Sequence, residues 1–234
     1  MNEIIRKRKS VRKYDMTKLH ALTLEKVREQ VANCTPLCHG IGYSVEIAGK
    51  TGGLFGIKAP HYLIFRSEEK DGAYENIGFL GQQMDLFFSE SGLGSCWLGM
   101  AKPEGKEDHS SLPFVISMAF GAPAEPLHRS LSEFKRKPLS DISEGADERL
   151  EAARLAPSGM NAQNWHFVAE GGKIHCYRKK ASPLLGFITN KMSRIDMGIA
   201  LCHIMKESDD FSFSKNPSAP VRKGCEYMGT VGLP

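Results

Sequence analysis

Apolar positions recur every three or four residues in some stretches and every second residue in others, which divides the chain into helices and strands. Over 17–33, Leu24, Val27 and Val31 share a face and predict a first helix. Residues 42–48 alternate like a strand, and 59–66 form a short apolar run behind a proline, the pattern of a buried strand. The widest stripe lies over 74–91, where Ile77, Leu80, Met84, Phe87 and Phe88 make one apolar face. Gly92 follows as a left-handed helix stop. Residues 113–120 predict a third strand, closed by Gly121-Ala122-Pro123, and 124–145 read as a long polar connection. A helix is expected from Ala146 to Leu155, ending before Pro157. Residues 165–169 and 173–178 predict a hairpin around Gly171-Gly172, and 193–207 a helix with Ile195, Ile199, Cys202 and His203 inward. Beyond that the pattern fades into scattered Pro and Gly.

The second part of this order resembles a shortened copy of the first. Glu25–Pro36 can be laid on Glu148–Ser158, and Asn76–Gln83 on Arg194–Leu201, which predicts a degenerate internal repeat.

Composition narrows the class. Among 234 residues, 41% are hydrophobic and 25% charged, which excludes a disordered chain. The net charge of +4 is mild, but six of the eight residues from Arg6 to Lys13 are basic. No interleaved aromatics or recognition motif accompany them, so no nucleic-acid partner is expected. No stretch is apolar enough for a membrane span and the N-terminus has no apolar signal core, so a cytoplasmic location without membrane contact is expected. The six cysteines show no paired spacing, and Cys34-x3-Cys38 lacks a second ligand pair, so free thiols and no metal are expected.

Three segments carry candidate chemistry. In Arg8-Lys9-Ser10-Val11-Arg12-Lys13-Tyr14, alternation puts Arg8, Ser10 and Arg12 on one side. Two guanidinium forks and a hydroxyl suit a phosphate, and the same residues suit a solvated arm. In Ala156-Pro157-Ser158-Gly159-Met160-Asn161-Ala162-Gln163-Asn164-Trp165, a proline ends the helix. The amides of Asn161 and Gln163 then either meet a ring edge bearing carbonyls and N–H or close their own turn. In Gly92-Leu93-Gly94-Ser95-Cys96-Trp97-Leu98-Gly99, the glycines either let backbone approach a ligand or simply cap the helix. Trp97, Trp165 and Phe167 are candidates for an apolar wall or for core.

Together the three segments resemble the nitroreductase family of FMN-dependent oxidoreductases over nearly all of residues 1–205. That family has an Arg-x-Ser-x-Arg-x-aromatic start, an Ala-Pro-Ser-x-x-Asn-x-Gln-Pro-Trp loop and a Gly-Leu-Gly-Ser-Cys-Trp turn. Its Phe-Gly-x-Pro strand end and following basic segment match Phe120–Pro123 and Phe134–Lys137. Two features depart from the pattern. Asn164 stands where the family has Pro, and the loop lies in the second half, while its usual place holds Ala32–Cys38 without the pattern.

The resemblance therefore implies the family's single-chain branch, with two fused halves, 1–128 and 129–234, in one compact unit. It implies an α/β (α+β) fold, a nitroreductase-like sandwich with a mostly antiparallel mixed sheet. It implies one composite FMN site. Arg8, Ser10 and Arg12 would hold phosphate and ribityl, with Arg136 and Lys137 adding charge. Lys9 is a candidate at the flavin N1–C2 edge. Pro157, Ser158, Met160, Asn161 and Gln163 would meet the ring, and the backbone of Cys96, Trp97 and Leu98 would lie near its reactive part. No side chain is expected to be catalytic, because the flavin carries the chemistry. NADH or NADPH would be the donor and a nitroaromatic or quinone-type small molecule the acceptor. A monomer or weak homodimer is expected. The alternative is a degenerate protein that keeps flavin binding without catalysis.

Overall fold

The computed structural model describes residues 2–52, 57–103, 111–180 and 186–232. The first half runs α1 (Glu3–Lys7), α2 (Ala21–Asn33), β1 (Tyr43–Ala48), β2 (Thr51–Gly52), β3 (His61–Ser67), α3 (Ala73–Glu90), β4 (Gly94–Leu98), β5 (Lys102–Pro103) and β6 (Phe114–Gly121). The second runs α4 (Leu139–Ile142), β7 (Ser143–Glu144), α5 (Arg149–Leu155), β8 (Trp165–Glu170), β9 (Lys173–Lys179), α6 (Gly186–Met205), β10 (Ser212–Ser214) and β11 (Cys225–Gly232). The fold is α+β, with the strands divided between two principal sheets, one per half.

One sheet is antiparallel in the order β1-β3-β6-β4. The other has the order β10-β11-β9-β8-β7, antiparallel except for the parallel pair β7–β8. Leaving β7 aside, the two share one connectivity. In each, two hairpin strands precede a long helix, and the last strand of the half inserts beside the second hairpin strand. Helices α3 and α6 pack on each other between the sheets, in the most extensive contact of any two elements.

Helix α3 shows why. Its stripe of Ile77, Leu80 and Met84 is buried as the pattern predicts, but so are Glu75, Asn76, Gln82, Gln83 and Asp85 on the remaining faces. Amphipathic periodicity marks the face toward the sheet. The polar residues are met by segments distant in sequence: Arg194 and His203 of α6 bond Glu75 and Gln82, residues 35–38 bond Asn76 and Gln83, and Arg8 pairs with Asp85.

Two glycines set the distance of this contact. A Cβ on Gly78 would overlap the Ile195 carbonyl, and one on Gly198 would overlap the Glu75 carbonyl. The same interval separates Gly78 from Gly198 and Glu75 from Ile195, so the contact is reciprocal, like the isologous face of a two-fold dimer. It also sets the register between the helices. Asn76 corresponds to Asp196, two positions from the sequence alignment of Asn76 with Arg194.

Other boundaries moved for local reasons. Helix α2 begins at Ala21, where the His20 ring accepts the Leu22 N–H at 3.3 Å. Helix α5 begins at Arg149, because Asp147 accepts both its backbone N–H and its guanidinium, at 3.0 and 2.9 Å. The 124–145 connection contains a 3-10 turn at 131–133 with a Ser130/Glu133 capping box, then α4 and β7. The unpatterned C-terminus holds β11, an interior strand of its sheet. A register shift between Tyr227 and Gly229 breaks its alternation, and Gly229 (φ +156°) lies under the Phe213 ring, where a Cβ would overlap it. No described helix is long and apolar enough to cross a membrane.

Candidate functional site

The basic segment 8–14 is not a solvated arm. It runs antiparallel to 122–129, with bridges from Arg8 to His128 and from Tyr14 to Pro123. Val11 N–H donates to the Ser95 carbonyl at 2.9 Å. Gly94 permits this, since a Cβ there would press into the Val11 side chain. The close approach that the Gly92–Gly99 turn allows is thus to residues 10–12 of the same chain. Gly92 itself closes α3 at φ +79°.

Arg8 and Asp85 are each 1% exposed and form an ion pair, Arg8 Nε to Asp85 Oδ2, at 2.9 Å. Asp85 also accepts from Gln82 Nε2 at 2.8 Å and Ser95 Oγ at 2.7 Å. Gln82 reaches His203 Nε2 at 3.0 Å, and His203 Nδ1 lies 2.9 Å from the Ala152 carbonyl. Burial pushes the His203 pKa down to about 3, so Nδ1–H donates and the ring is neutral. This network ties the basic segment to α5 and α6 through the interior.

Around Arg8 the chain gathers further guanidinium groups. Arg129, which the sequence reading did not single out, donates from Nε to the Arg8 carbonyl at 3.1 Å and lies 4.5 Å over the Phe134 ring. Arg136 faces the same ring at 5.6 Å. Burial and then the charge of Arg8 pull the pKa of both Arg129 and Arg136 down to about 10. Both stay charged at neutral pH, at a mutual repulsion that an anion would relieve. Among the described residues, Arg8 Nη1 and Arg136 Nε are buried with no hydrogen-bond partner. A cleft of about 210 Å³ is lined by Lys9, Ser10, Arg12, Arg129, Glu125 and Glu133, and Arg8 reaches this lining through Nη2, which donates to Ser10 Oγ at 3.3 Å. Glu125 accepts the Arg12 N–H and Glu133 the Ser130 N–H, so both carboxylates are already engaged. The signal for Arg129 was local: it ends the strand pairing that begins where the Phe-Gly-x-Pro motif meets Tyr14.

The loop after α5 stands beside this cluster. Met160, Asn161 and Gln163 have φ of 52°, 57° and 49°, a left-handed conformation rare outside glycine and concentrated at functional sites. Of the two amides read as ring-edge partners or turn-closers, Asn161 commits its own to 135–137, while Gln163 turns its oxygen to 137 and closes its own turn with Nε2, which donates to the Asn161 carbonyl at 3.0 Å. Asn161 Oδ1 accepts from Arg136 at 2.6 Å and its Nδ2 donates to the Lys135 carbonyl at 2.7 Å. Gln163, 2% exposed, accepts the Lys137 N–H at 2.8 Å. These bonds satisfy a buried amide and hold Arg136 and Lys137 in place; Lys137 Nζ bonds the Ala162 carbonyl at 2.7 Å.

The remaining candidates separate by exposure. Pro157, Cys96 and Leu98 are buried, Ser158 is half-buried, and Met160 is fully exposed. Trp97 lies on Phe65, its rings 5.7 Å apart, in space that Gly81 leaves open. Its Nε1 donates to Gln82 at 3.3 Å. Trp165 and Phe167 are core and form no wall. Two glycines converge on Met192 of α6. A Cβ on Gly99 would stand 3.1 Å from its sulfur, and one on Gly159 3.9 Å from its Cβ. The turn and the loop therefore meet across one helix face, with Met100 and Met160 exposed on either side.

Below the loop, Asp196 accepts the Gly159 N–H at 2.9 Å, and burial pushes its pKa up to about 7. A carboxyl raised this way stabilises the fold at acid pH and ceases to do so as pH rises through about 7. Asp196→Asn is accordingly expected to raise the thermal midpoint by several degrees near pH 8 and to change it little near pH 4, where the acid is protonated in the folded chain and near its ordinary pKa in the unfolded one, read by melting curves at both. Equal shifts at the two pH values would contradict it.

A larger cavity, about 430 Å³, lies between β9, β11 and residues 215–222. Its hydroxyls are internally engaged, Tyr177 with the Pro220 carbonyl and Tyr227 with the Asn216 N–H, so it presents no set of converging donors. Among the described residues no cluster of three or more metal-ligating side chains occurs.

A family model described as "Putative TM nitroreductase" matches residues 1–208. A crystal structure from Thermotoga maritima, described in similar terms, is 21% identical over 99% of this chain and 93% of its own, with a TM-score of 0.66. A nitroreductase family protein of Clostridium difficile is 18% identical over 60% of this chain and 96% of its own, at 0.47. An FMN-dependent nitroreductase of the same species is 18% identical over 58% and 95%, at 0.45. No curated protein gives a significant match.

Proposed function

This chain belongs to the nitroreductase family, and on that premise we propose that it is an FMN-dependent oxidoreductase with one flavin per chain, bound where its two halves meet. The observation that carries the proposal is the arginine cluster. The Arg8 charge adds to burial in lowering the pKa of Arg129 and Arg136, Arg8 and Arg136 carry orphaned buried N–H groups, and a cleft opens beside Arg129. Such a cluster suits a dianionic phosphate.

Ser10, Arg12 and Arg129 would hold the phosphate, with Arg8 charged behind them and Lys9 at the rim. Asn161 and Gln163 act as positioning residues that fix Arg136 and Lys137. The ring would lie against the 158–163 loop and the backbone after Cys96, bordered by Gly99, Met192, Met100 and Met160. Exposed thioethers are adaptable apolar contacts, suited to a flat acceptor such as a nitroaromatic or quinone. FMN supplies the two-electron transfer from NADH or NADPH. The protein's part is to bind, orient and exclude water.

The two halves are proposed to be fused copies of one unit, acting as a monomer. Only one of the two related positions would bind. Around Cys38, whose N–H is accepted by Asn76 as that of Gly159 is by Asp196, stand the carboxylates of Glu75 and Asp71, both paired with Arg194.

The test is a visible absorption spectrum of the purified protein, with flavin counted after heat release. About one FMN per chain is expected, with bleaching by NADH or NADPH. Arg12→Ala and Arg129→Ala should each weaken FMN retention by roughly 10- to 100-fold, the loss of one charge-assisted contact. Unchanged affinity in both would remove the phosphate assignment. Flavin bound but never reduced would favour the non-catalytic alternative.

A further inference from the structure

The two halves perform one structural task with different chemistry. In the first, Asn76 Oδ1 on α3 accepts the Leu37 and Cys38 N–H groups at 2.8 and 3.1 Å. In the second, Asp196 on α6 accepts the Gly159 N–H at 2.9 Å. The positions correspond through the reciprocal glycine contact, and in both a buried oxygen anchors the backbone after a proline. The first half shows that an amide suffices for this anchor. An acid at position 196 is therefore not required by the fold, and it lies under the strained loop of the candidate site, while the amide lies under the degenerate copy.

The acid is also isolated. Asp196 is 5% exposed, and the charged groups on the elements around it are engaged elsewhere. On α6, Arg194 pairs with Asp71, Glu75 and Glu226, and Lys191 lies over Tyr74 and Phe114. On β9, Arg178 bonds Ser193 and Glu226, and on α5, Arg154 pairs with Glu151. Arg136 and Lys137 bond Asn161 and the Ala162 carbonyl, and on α3, Asp85 pairs with Arg8. Burial is opposed by the Gly159 N–H alone.

We propose that Asp196 is a proton-exchanging positioning residue, which anchors the 158–163 loop through Gly159 and takes up a proton when a planar ligand settles on that loop. The ligand's identity as FMN rests on the function proposed above. A ring over Gly159 and Met160, both exposed, removes the water nearest the carboxyl. The charged form loses its remaining hydration and the neutral form loses little, so binding favours the protonated acid. By linkage, the ligand then binds more tightly at low pH, and the advantage disappears as pH rises past neutrality.

The experiment compares the full-length protein with Asp196→Asn. FMN affinity is followed by quenching of flavin fluorescence from about pH 6 to about pH 8.5, and proton uptake by calorimetry in buffers of different ionisation enthalpy. One coupled proton changes affinity by at most about tenfold per pH unit. The wild type is expected to bind roughly 5- to 20-fold more tightly at the acid end than Asp196→Asn does, relative to the alkaline end, and to take up protons that the variant does not. Ionisation of the FMN phosphate affects both proteins alike and cancels in the comparison. An anchor of purely structural role would lower the variant's affinity by one factor at every pH. That result, or equal proton uptake in both proteins, overturns the proposal while leaving FMN binding intact. Failure of both proteins to bind FMN at any pH overturns the functional reading, and this proposal with it.

Discussion

Arg8→Ala is expected to lower the thermal midpoint by roughly 6–20 °C, the largest effect of any single charge removed from this protein. The substitution strands Asp85, 1% exposed, with only Gln82 and Ser95 as partners. Breaking a buried pair on one side costs about 3–5 kcal/mol, because the remaining charge has neither water nor a counter-ion. The cost belongs to the stranded carboxylate more than to the lost attraction. Arg8→Met with Asp85→Leu should therefore melt well above Arg8→Met alone. Melting curves of the single and double variants decide this. A midpoint for Arg8→Ala within about 2 °C of wild type would mean that Asp85 is not buried as the structure has it.

Gly198→Ala is expected to cost as much or more, through shape alone. The added methyl would occupy the place of the Glu75 carbonyl oxygen, which is backbone and has no rotamer to yield. Either α3 and α6 separate, losing packing along their whole contact, or the helix distorts; both exceed the ordinary 1–3 kcal/mol of core overpacking. Gly78→Ala should behave alike, since its methyl meets the Ile195 carbonyl. Gly159→Ala is the control. A Cβ there finds Asp196 and Met192 at 3.7 Å or more, ordinary contact, and its stability should stay within about 0.5 kcal/mol of wild type. Urea unfolding of the three variants is the measurement. A Gly198→Ala protein as stable as Gly159→Ala would refute the close helix contact, and with it the register that equates Asn76 with Asp196.

Both predictions fall on the interior between the halves, the part least legible in the sequence. Where order is local, the pattern sufficed. The stripe of Ile77, Leu80 and Met84 with Gly92 behind it marked α3, and Gly171-Gly172 between apolar runs marked the β8–β9 hairpin. Strand β11 escaped because a bulge and a glycine under Phe213 interrupt the alternation on which a strand reading depends. The burial of Glu75, Gln82 and their polar neighbours on α3 left no mark in the pattern, because periodicity counts residues on one helix and carries no record of what lies across it.

The candidate site divides along the same line. Local spacing marks three candidate segments, the Arg8–Tyr14 start, the Ala156–Trp165 loop and the Gly92–Gly99 turn, each with its residue types at fixed intervals. It also located the intact loop in the second half. What each group touches comes from the folding of the whole chain. Folding turns Arg8 inward to Asp85, binds the Asn161 amide and the Gln163 amide oxygen to 135–137, brings Arg129 to the cleft, and places Asp196 under Gly159. A polar group's role depends on its partners and its access to water. Both are set by residues far apart in the chain, whereas spacing along the chain records only what one element can present.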